Sequence, residues 1–402
     1  MISDMGKNIL IVGGGSAGWM TASYLAVQTD ANITLVESPN IPIIGVGEST
    51  IPSINDFMDA VGISEQDLVE NCNAIRKYTI QHNNWNGTND TWWHHFCFDE
   101  SEHDEQIEWM RTLSLPDKKW RHAYHLDATK LGLLLRDKSA IPGGVTHILD
   151  DIQEVQFDDA GVTAVVGKNG IYTADLYIDC TGFKGLLRKT LGVNTHQHPG
   201  LVNNYALAGP GDFMEPQVNY TQTYAMDCGW RWRVCIQNRT GNGYAFNKDL
   251  ISVDQARTEF IAKTPGLRID KIFEVPMFNS FNPEPWKQNV VALGLSCGFL
   301  EPLEATGLFL IHAPLKLLAR LLNDDKATAK YNRVWTRMYN HIADFLSMHF
   351  TTSKLTHTEY WRSIPKIDKV TLPEYGQILF DQYSYRNLAK GRNMEIKVDN
   401  NP

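Results

Sequence analysis

Cysteine is scarce in this chain and carries no pattern. Six occur in 402 residues, at positions 72, 97, 180, 228, 235 and 297. None forms a Cys-x-x-Cys pair or a zinc-finger spacing, which argues against a metal module. A disulfide scaffold is equally unsupported, and free thiols in a reducing compartment are expected. There is no Lys/Arg run, and the net charge is −9. Nucleic acid and anionic membrane surfaces are therefore poor partners. No apolar stretch approaches the roughly 18 residues of a membrane span. Residues 1–7 read Met-Ile-Ser-Asp-Met-Gly-Lys, with no cleavage-site pattern before the first apolar run at Asn8. A soluble, cytoplasmic protein is expected.

Hydrophobic residues are 43% and charged residues 21%, so a large globular core is within reach. Eleven tryptophans are present, several beside the motifs below.

Asn8–Val12 is a short continuous apolar run, as expected of a strand buried on both faces. It leads into Gly13-Gly14-Gly15-Ser16-Ala17-Gly18, which meets G-x-G-x-x-G at Gly13, Gly15 and Gly18. Gly13 serves the tight turn, Gly15 the approach of a pyrophosphate, and Gly18 the close packing of the following helix. Residues 19–27 read as that helix, and its N-terminal amides would face phosphate. A second strand, Ile33-Thr34-Leu35-Val36, ends in Glu37, placed to accept from a ribose diol. The alternative is a glycine-rich turn in an unrelated α/β protein.

Further segments extend the pattern: Asp179-Cys180-Thr181-Gly182 after one strand, Val290-Val291-Ala292-Leu293-Gly294 in another, and Gly45-Val46-Gly47-Glu48-Ser49-Thr50. The first two resemble the additional nucleotide-contact segments of large FAD monooxygenase-type folds. The third resembles a G-V-G-E-A-T segment, with Ser49 in place of alanine. With Lys77 ahead of Ile80 and Trp85, Phe299-Leu300-Glu301-Pro302-Leu303-Glu304-Ala305-Thr306-Gly307, and Gly229-Trp230-Arg231-Trp232-Arg233-Val234, the chain resembles the flavin-dependent halogenases of the tryptophan halogenase type.

That resemblance implies an α/β fold. A three-layer Rossmann-like FAD-binding body of the flavin monooxygenase type would carry a mixed substrate-side sheet and a helical C-terminal part. The FAD box would be discontinuous, about 1–50, 140–200 and 285–320. A substrate module would occupy about 65–130 and 200–285, and a helical module about 308–365. Residues 366–402 would be a short tail. Gly47, Asp179 and Gly294 join Gly13, Gly15, Ser16, Ala17, Gly18 and Glu37 as expected FAD contacts. Reduced FAD, oxygen and halide would generate hypohalous acid. Lys77 would receive it, with Glu304 as the catalytic acid or base. Thr306 and Gly307 would hold halide, and His94, Phe96, Trp230 and Trp232 would line the substrate site. An exposed strand lysine at 77 and a helix-capping acid at 304 are the bland readings, and capping is the expectation for Glu301. The adjacent His94 and His95 lack ligand spacing, so no metal is expected.

The implied activity is halogenation of an electron-rich aromatic or heteroaromatic molecule, with a separate reductase supplying reduced FAD. Self-association is left open. An aromatic hydroxylase and a flavin-binding protein without turnover are the alternatives. The resemblance fades beyond about Ile364, which predicts a thinly covered pocket and several accepted substrates, with free tryptophan not the best.

Overall fold

A computed structural model describes residues 6–41, 47–96, 120–192, 195–373 and 379–397. Gly45, Val46 and Cys97 lie outside the described residues. The five described cysteines are free and buried.

The nucleotide end is a six-stranded sheet ordered Trp286–Lys287, Val290–Ala292, Leu176–Asp179, Asn8–Val12, Asn32–Glu37, Thr146–Leu149. All neighbours are parallel except the first pair. Alternation along the strands builds two layers. Ile9, Ile11, Ile33 and Leu35 face one core, which includes Trp19 and Leu25 of helix Ser16–Gln28. Leu10, Val12 and Val36 face the other, toward an antiparallel three-stranded sheet with Val162 and Val165. Helix, parallel sheet and antiparallel sheet make the expected three-layer body. Its strands come from three separate stretches of chain.

The second body is a seven-stranded sheet ordered Phe273–Pro276, Tyr205–Gly211, Arg239–Phe246, Gly229–Ile236, Tyr220–Met226, Thr79–Asn83, Thr91–His95. It is mixed: Thr79–Asn83 runs parallel to Tyr220–Met226, and the rest is antiparallel. A small sheet of Gly47–Ser49, Ala123–Asp127 and Ile75–Lys77 joins the two bodies. The chain leaves it after Lys77 and enters the large sheet at Thr79. That single-residue transfer places Lys77 at the seam.

Two long helices follow, the first packed on helix Ser16–Gln28 of the nucleotide body and the second on the core under the large sheet. Phe309–Leu321 contains Pro314, which removes one backbone donor. Ala327–Thr351 buries Trp335, Met338, Tyr339, Ile342, Phe345, Leu346 and His349 at three- and four-residue spacing, which is one stripe of a helix. Residues past Ile364 are folded, contrary to the expected tail. Lys369–Thr371 pairs with Glu395–Lys397, and helix Gln382–Gly391 lies against Thr91–His95. Asp381 caps that helix by accepting from the Ser384 amide at 3.1 Å. Gly391 packs so tightly that a Cβ there would lie 2.6 Å from the Trp92 ring. The sequence reading missed this because the segment is polar overall; its apolar positions are few but all turned inward. No helix among the described residues is long and apolar enough to cross a membrane.

Candidate functional site

At the nucleotide end the glycines divide by role. Gly13 has φ 109°, and a Cβ on it would lie 2.3 Å from the Cys180 carbonyl oxygen. A Cβ on Gly18 would lie 1.9 Å from the Gly13 carbonyl oxygen. Both are fixed by their own chain. A Cβ on Gly15 would meet nothing within 4 Å. The open side of the turn is thus at Gly15, at the start of the helix carrying Ser16 and Ala17, where amides and helix dipole favour an anion. Glu37 ends its strand as expected, half-buried, and accepts from His147 Nε2 at 2.7 Å. Its other carboxylate oxygen lies over Gly14, so Gly14 leaves the acid in place. Gly47 sits opposite Gly241, whose Cβ would come 3.0 Å from the Gly47 nitrogen. Gly294, at φ 63°, presses on Ala17. These residues fit a bound dinucleotide along the first helix.

Asp179 requires correction. One of its oxygens accepts from the Thr181 amide and hydroxyl, at 3.0 and 2.6 Å. The other accepts from the Leu187 and Arg188 amides, both at 2.9 Å. The buried carboxylate orders the loop after its strand and has no oxygen left to turn toward a cofactor.

Lys77 is fully buried, while the next-door Arg76 turns outward onto both oxygens of Glu65. Strand alternation selects which of the two basic residues enters the protein. Lys77 Nζ donates to Ser49 Oγ at 2.8 Å and to the Thr50 carbonyl at 2.9 Å, and lies 5.0 Å from the centre of the Phe96 ring. Burial pulls the amine down to about 7, against a smaller upward pull from the Glu304 charge. Ser49 continues a chain of hydroxyl and imidazole groups. Its Oγ is 2.7 Å from Thr221 Oγ1, which is 2.9 Å from His125 Nε2. His125 Nδ1 meets the Cys235 carbonyl at 3.0 Å.

Glu304 is 1% exposed and stands ahead of helix Phe309–Leu321. Three histidines meet it: His94 Nδ1 at 2.7 Å on Oε2, and His349 Nε2 and His82 Nε2 at 2.8 and 3.3 Å on Oε1. Burial works to raise this carboxyl, but His94, His349 and His82 outweigh it and hold it well below the usual range. Burial in turn lowers His82, to about 3, and lowers His349. Lys77 and Glu304 are in electrostatic contact without bonding to each other. Ala305, which follows the acid, has φ 57°, a left-handed conformation that strains a residue with a Cβ. Thr306 Oγ1 is buried without a hydrogen-bond partner. Gly307 is exposed, and a Cβ there would meet nothing.

The aromatic residues separate. His94 is locked between Glu304 and Ser384 Oγ, the latter at 3.2 Å, and Phe96 lies by Lys77. Trp230 is 1% exposed, and its Nε1 donates to Glu301 Oε2 at 2.5 Å. It is a pinned core residue, and the structure does not turn it toward a cavity. Trp232 is half-buried, 5.5 Å from Trp230 centre to centre. Glu301 is not a helix cap. It is buried, accepts from Trp230, Asn203 and Asn279, and is raised to about 7 by burial.

His82, His349, His125 and Thr221 had no role in the sequence reading. One signal was available for His82. Register aligns Thr223 with both Trp232 and His82, and His82 with Trp92. Alternation at 80, 82, 92 and 94 therefore puts two histidines and a tryptophan on one sheet face. His349 comes from a helix nearly 270 residues away in the chain, and only folding brings it there.

Together these observations define an enzyme with a dinucleotide-binding body and, apart from it, a buried lysine lowered by burial and a buried glutamate whose charge acts on it. The tryptophan halogenase family model matches residues 8–114 and 103–393, well past the point where the sequence resemblance fades. The tryptophan 6-halogenase of Streptomyces albogriseolus is 32% identical, over 89% of this chain and 78% of that enzyme. The tryptophan 7-halogenase of Lentzea aerocolonigenes is 31% identical, over 88% and 78%. The structure of a flavin-dependent halogenase from Xanthomonas campestris superposes with TM-score 0.89 at 28% identity, covering 98% of this chain and 90% of that one. The chain belongs to the tryptophan halogenase family and is a flavin-dependent halogenase, an oxidoreductase-type flavoenzyme.

Proposed function

We propose that this enzyme replaces a ring hydrogen of an electron-rich aromatic or heteroaromatic small molecule by halogen, with Lys77 and Glu304 as its catalytic pair. The observation that carries the reading is the pairing of a buried amine drawn down to about 7 with a buried carboxylate, held well below its usual range, whose charge acts on that amine. FAD would be held by Gly13, Gly15, Ser16, Ala17, Gly18, Glu37, Gly47 and Gly294; in reduced form, with oxygen as the oxidant, it would supply the chemistry that converts halide to hypohalous acid. A separate flavin reductase provides that form.

The protein's own groups then govern delivery. Lys77 is anchored by Ser49 and the Thr50 carbonyl, which leaves its third N–H for the oxygen of hypohalous acid. A ring carbon attacks the halogen, and the carbon–halogen bond forms as the halogen–oxygen bond breaks. The departing oxygen takes the lysine proton and leaves as water. The ring proton passes to Glu304, whose ionised state fits it as acceptor. His94 fixes one carboxylate oxygen, and Phe96 flanks the amine. Thr306 and Gly307, with the amides opening helix Phe309–Leu321, suit a halide.

The test supplies a flavin reductase, FAD and oxygen, offers chloride, bromide or iodide with a panel of indoles, phenols and anilines, and reads product mass. Halogenated product from the native chain, and none from Lys77→Ala that still binds FAD, is the expected result. Products gaining oxygen in place of halogen would replace this reading with hydroxylation. Native-like yields from Lys77→Ala would remove the lysine from the reaction.

A further inference from the structure

We infer that His82, Glu304 and His349 form a binding site for one divalent transition ion of the zinc and cobalt class. Their ligand atoms all lie within 4.8 Å of one another, and the three side chains are at most 1% exposed. The approaches of His82 Nε2 and His349 Nε2 to Glu304 Oε1, at 3.3 and 2.8 Å, lack hydrogen-bond geometry. All three atoms are left buried without a hydrogen-bond partner. Orphaned buried polar atoms are rare, and three converging on one point call for a common partner. A cation satisfies all of them at once.

The surrounding groups fit that partner. His82 Nδ1 meets Thr223 Oγ1 at 2.9 Å, the outer contact that orients a ligating imidazole. His94 holds Oε2 at 2.7 Å, which keeps the carboxylate in place and leaves Oε1 for the ion. Two imidazoles and one carboxylate suit zinc-like ions and leave a fourth position open. Magnesium and calcium prefer all-oxygen sites. The Arg392 guanidinium, stacked 5.1 Å from the Trp92 ring centre, adds positive charge nearby and weakens the site without blocking its ligands. The ion would take Oε1 of the carboxylate read above as ring-proton acceptor, so a metal-loaded chain should halogenate less well; binding itself is measured directly, independently of product formation.

The experiment uses the full chain without an affinity tag, dialysed against zinc or cobalt, with metal content by mass spectrometry and the visible spectrum of the cobalt form. About one ion per chain is expected, with the absorption of a low-coordinate cobalt site. His349→Gln should lose it. Thr223→Val should weaken binding roughly 10- to 100-fold. His357→Gln, at an exposed histidine 3.4 Å from Asp227, should leave it unchanged. Absence of bound metal in the native chain, or unaltered stoichiometry in His349→Gln, overturns the site. If His349→Gln does not fold, an unaltered affinity in Thr223→Val overturns it.

Discussion

Lys77 is the residue whose protonation most depends on its surroundings. Its amine is drawn from the ordinary 10.5 to about 7 by burial. The unfolded chain therefore keeps a proton that the folded chain has lost between pH 7 and 10.5. This group's contribution makes stability rise with pH across that window. Lys77→Met should flatten the rise, raise the melting temperature near pH 7 by about 2 °C or more, and abolish product; thermal denaturation across pH checks the first two. If the ammonium form donates to the departing oxygen, single-turnover halogenation bends down above about pH 7. Ser49→Ala removes an acceptor of the ammonium form and should move that bend to lower pH. Ala305 presents a different kind of strain. Its φ of 57° costs a residue with a Cβ roughly 1 kcal/mol, so Ala305→Gly should be neutral or slightly stabilising in denaturant titration. A clear loss would show that the local backbone is held for another reason.

Among elements, the C-terminal helix Gln382–Gly391 matters more than its polar sequence indicates. It brings Ser384 onto His94, which in turn holds Glu304. Asp381→Ala removes its cap and should cost about 1 kcal/mol. Halogenation should fall with it, while FAD binding, on the other body, stays unchanged. The strand pair around Tyr78 is the other decisive element. A chain that changes sheets after Lys77 fixes which side chain is buried at the seam, and Arg76 on Glu65 shows the opposite choice one residue earlier.

Across the whole molecule, buried polar contacts tie distant stretches together. Glu301 holds Asn203, Trp230 and Asn279. Glu301→Ala leaves the buried Trp230 and Asn203 donors unpaired and should cost about 2 kcal/mol or more in urea unfolding, with substrate-side packing lost first. Gly13→Ala acts at the other body. With φ 109° and a Cβ 2.3 Å from the Cys180 carbonyl oxygen, it should abolish FAD retention while the large sheet still folds, as flavin absorbance after gel filtration and circular dichroism would show.

The sequence by itself determined what local chemistry dictates. A glycine-rich turn between an apolar strand and a helix, an acid closing the next strand, and the alternation that buries Lys77 and exposes Arg76 all depend on neighbours a few residues away. Motif likeness extended this to Glu304, Thr306 and Gly307. What only the tertiary structure decided is which polar groups meet. Asp179 turned from an expected cofactor contact into a loop anchor, because amides several residues on occupy both its oxygens. Glu301 turned from a cap into a buried hub, and Trp230 from a chamber wall into its ligand. The histidines around Glu304 come from a strand, its neighbour and a distant helix. No spacing along the chain encodes that convergence, since it exists only once the sheet is formed and the long helix has packed across it.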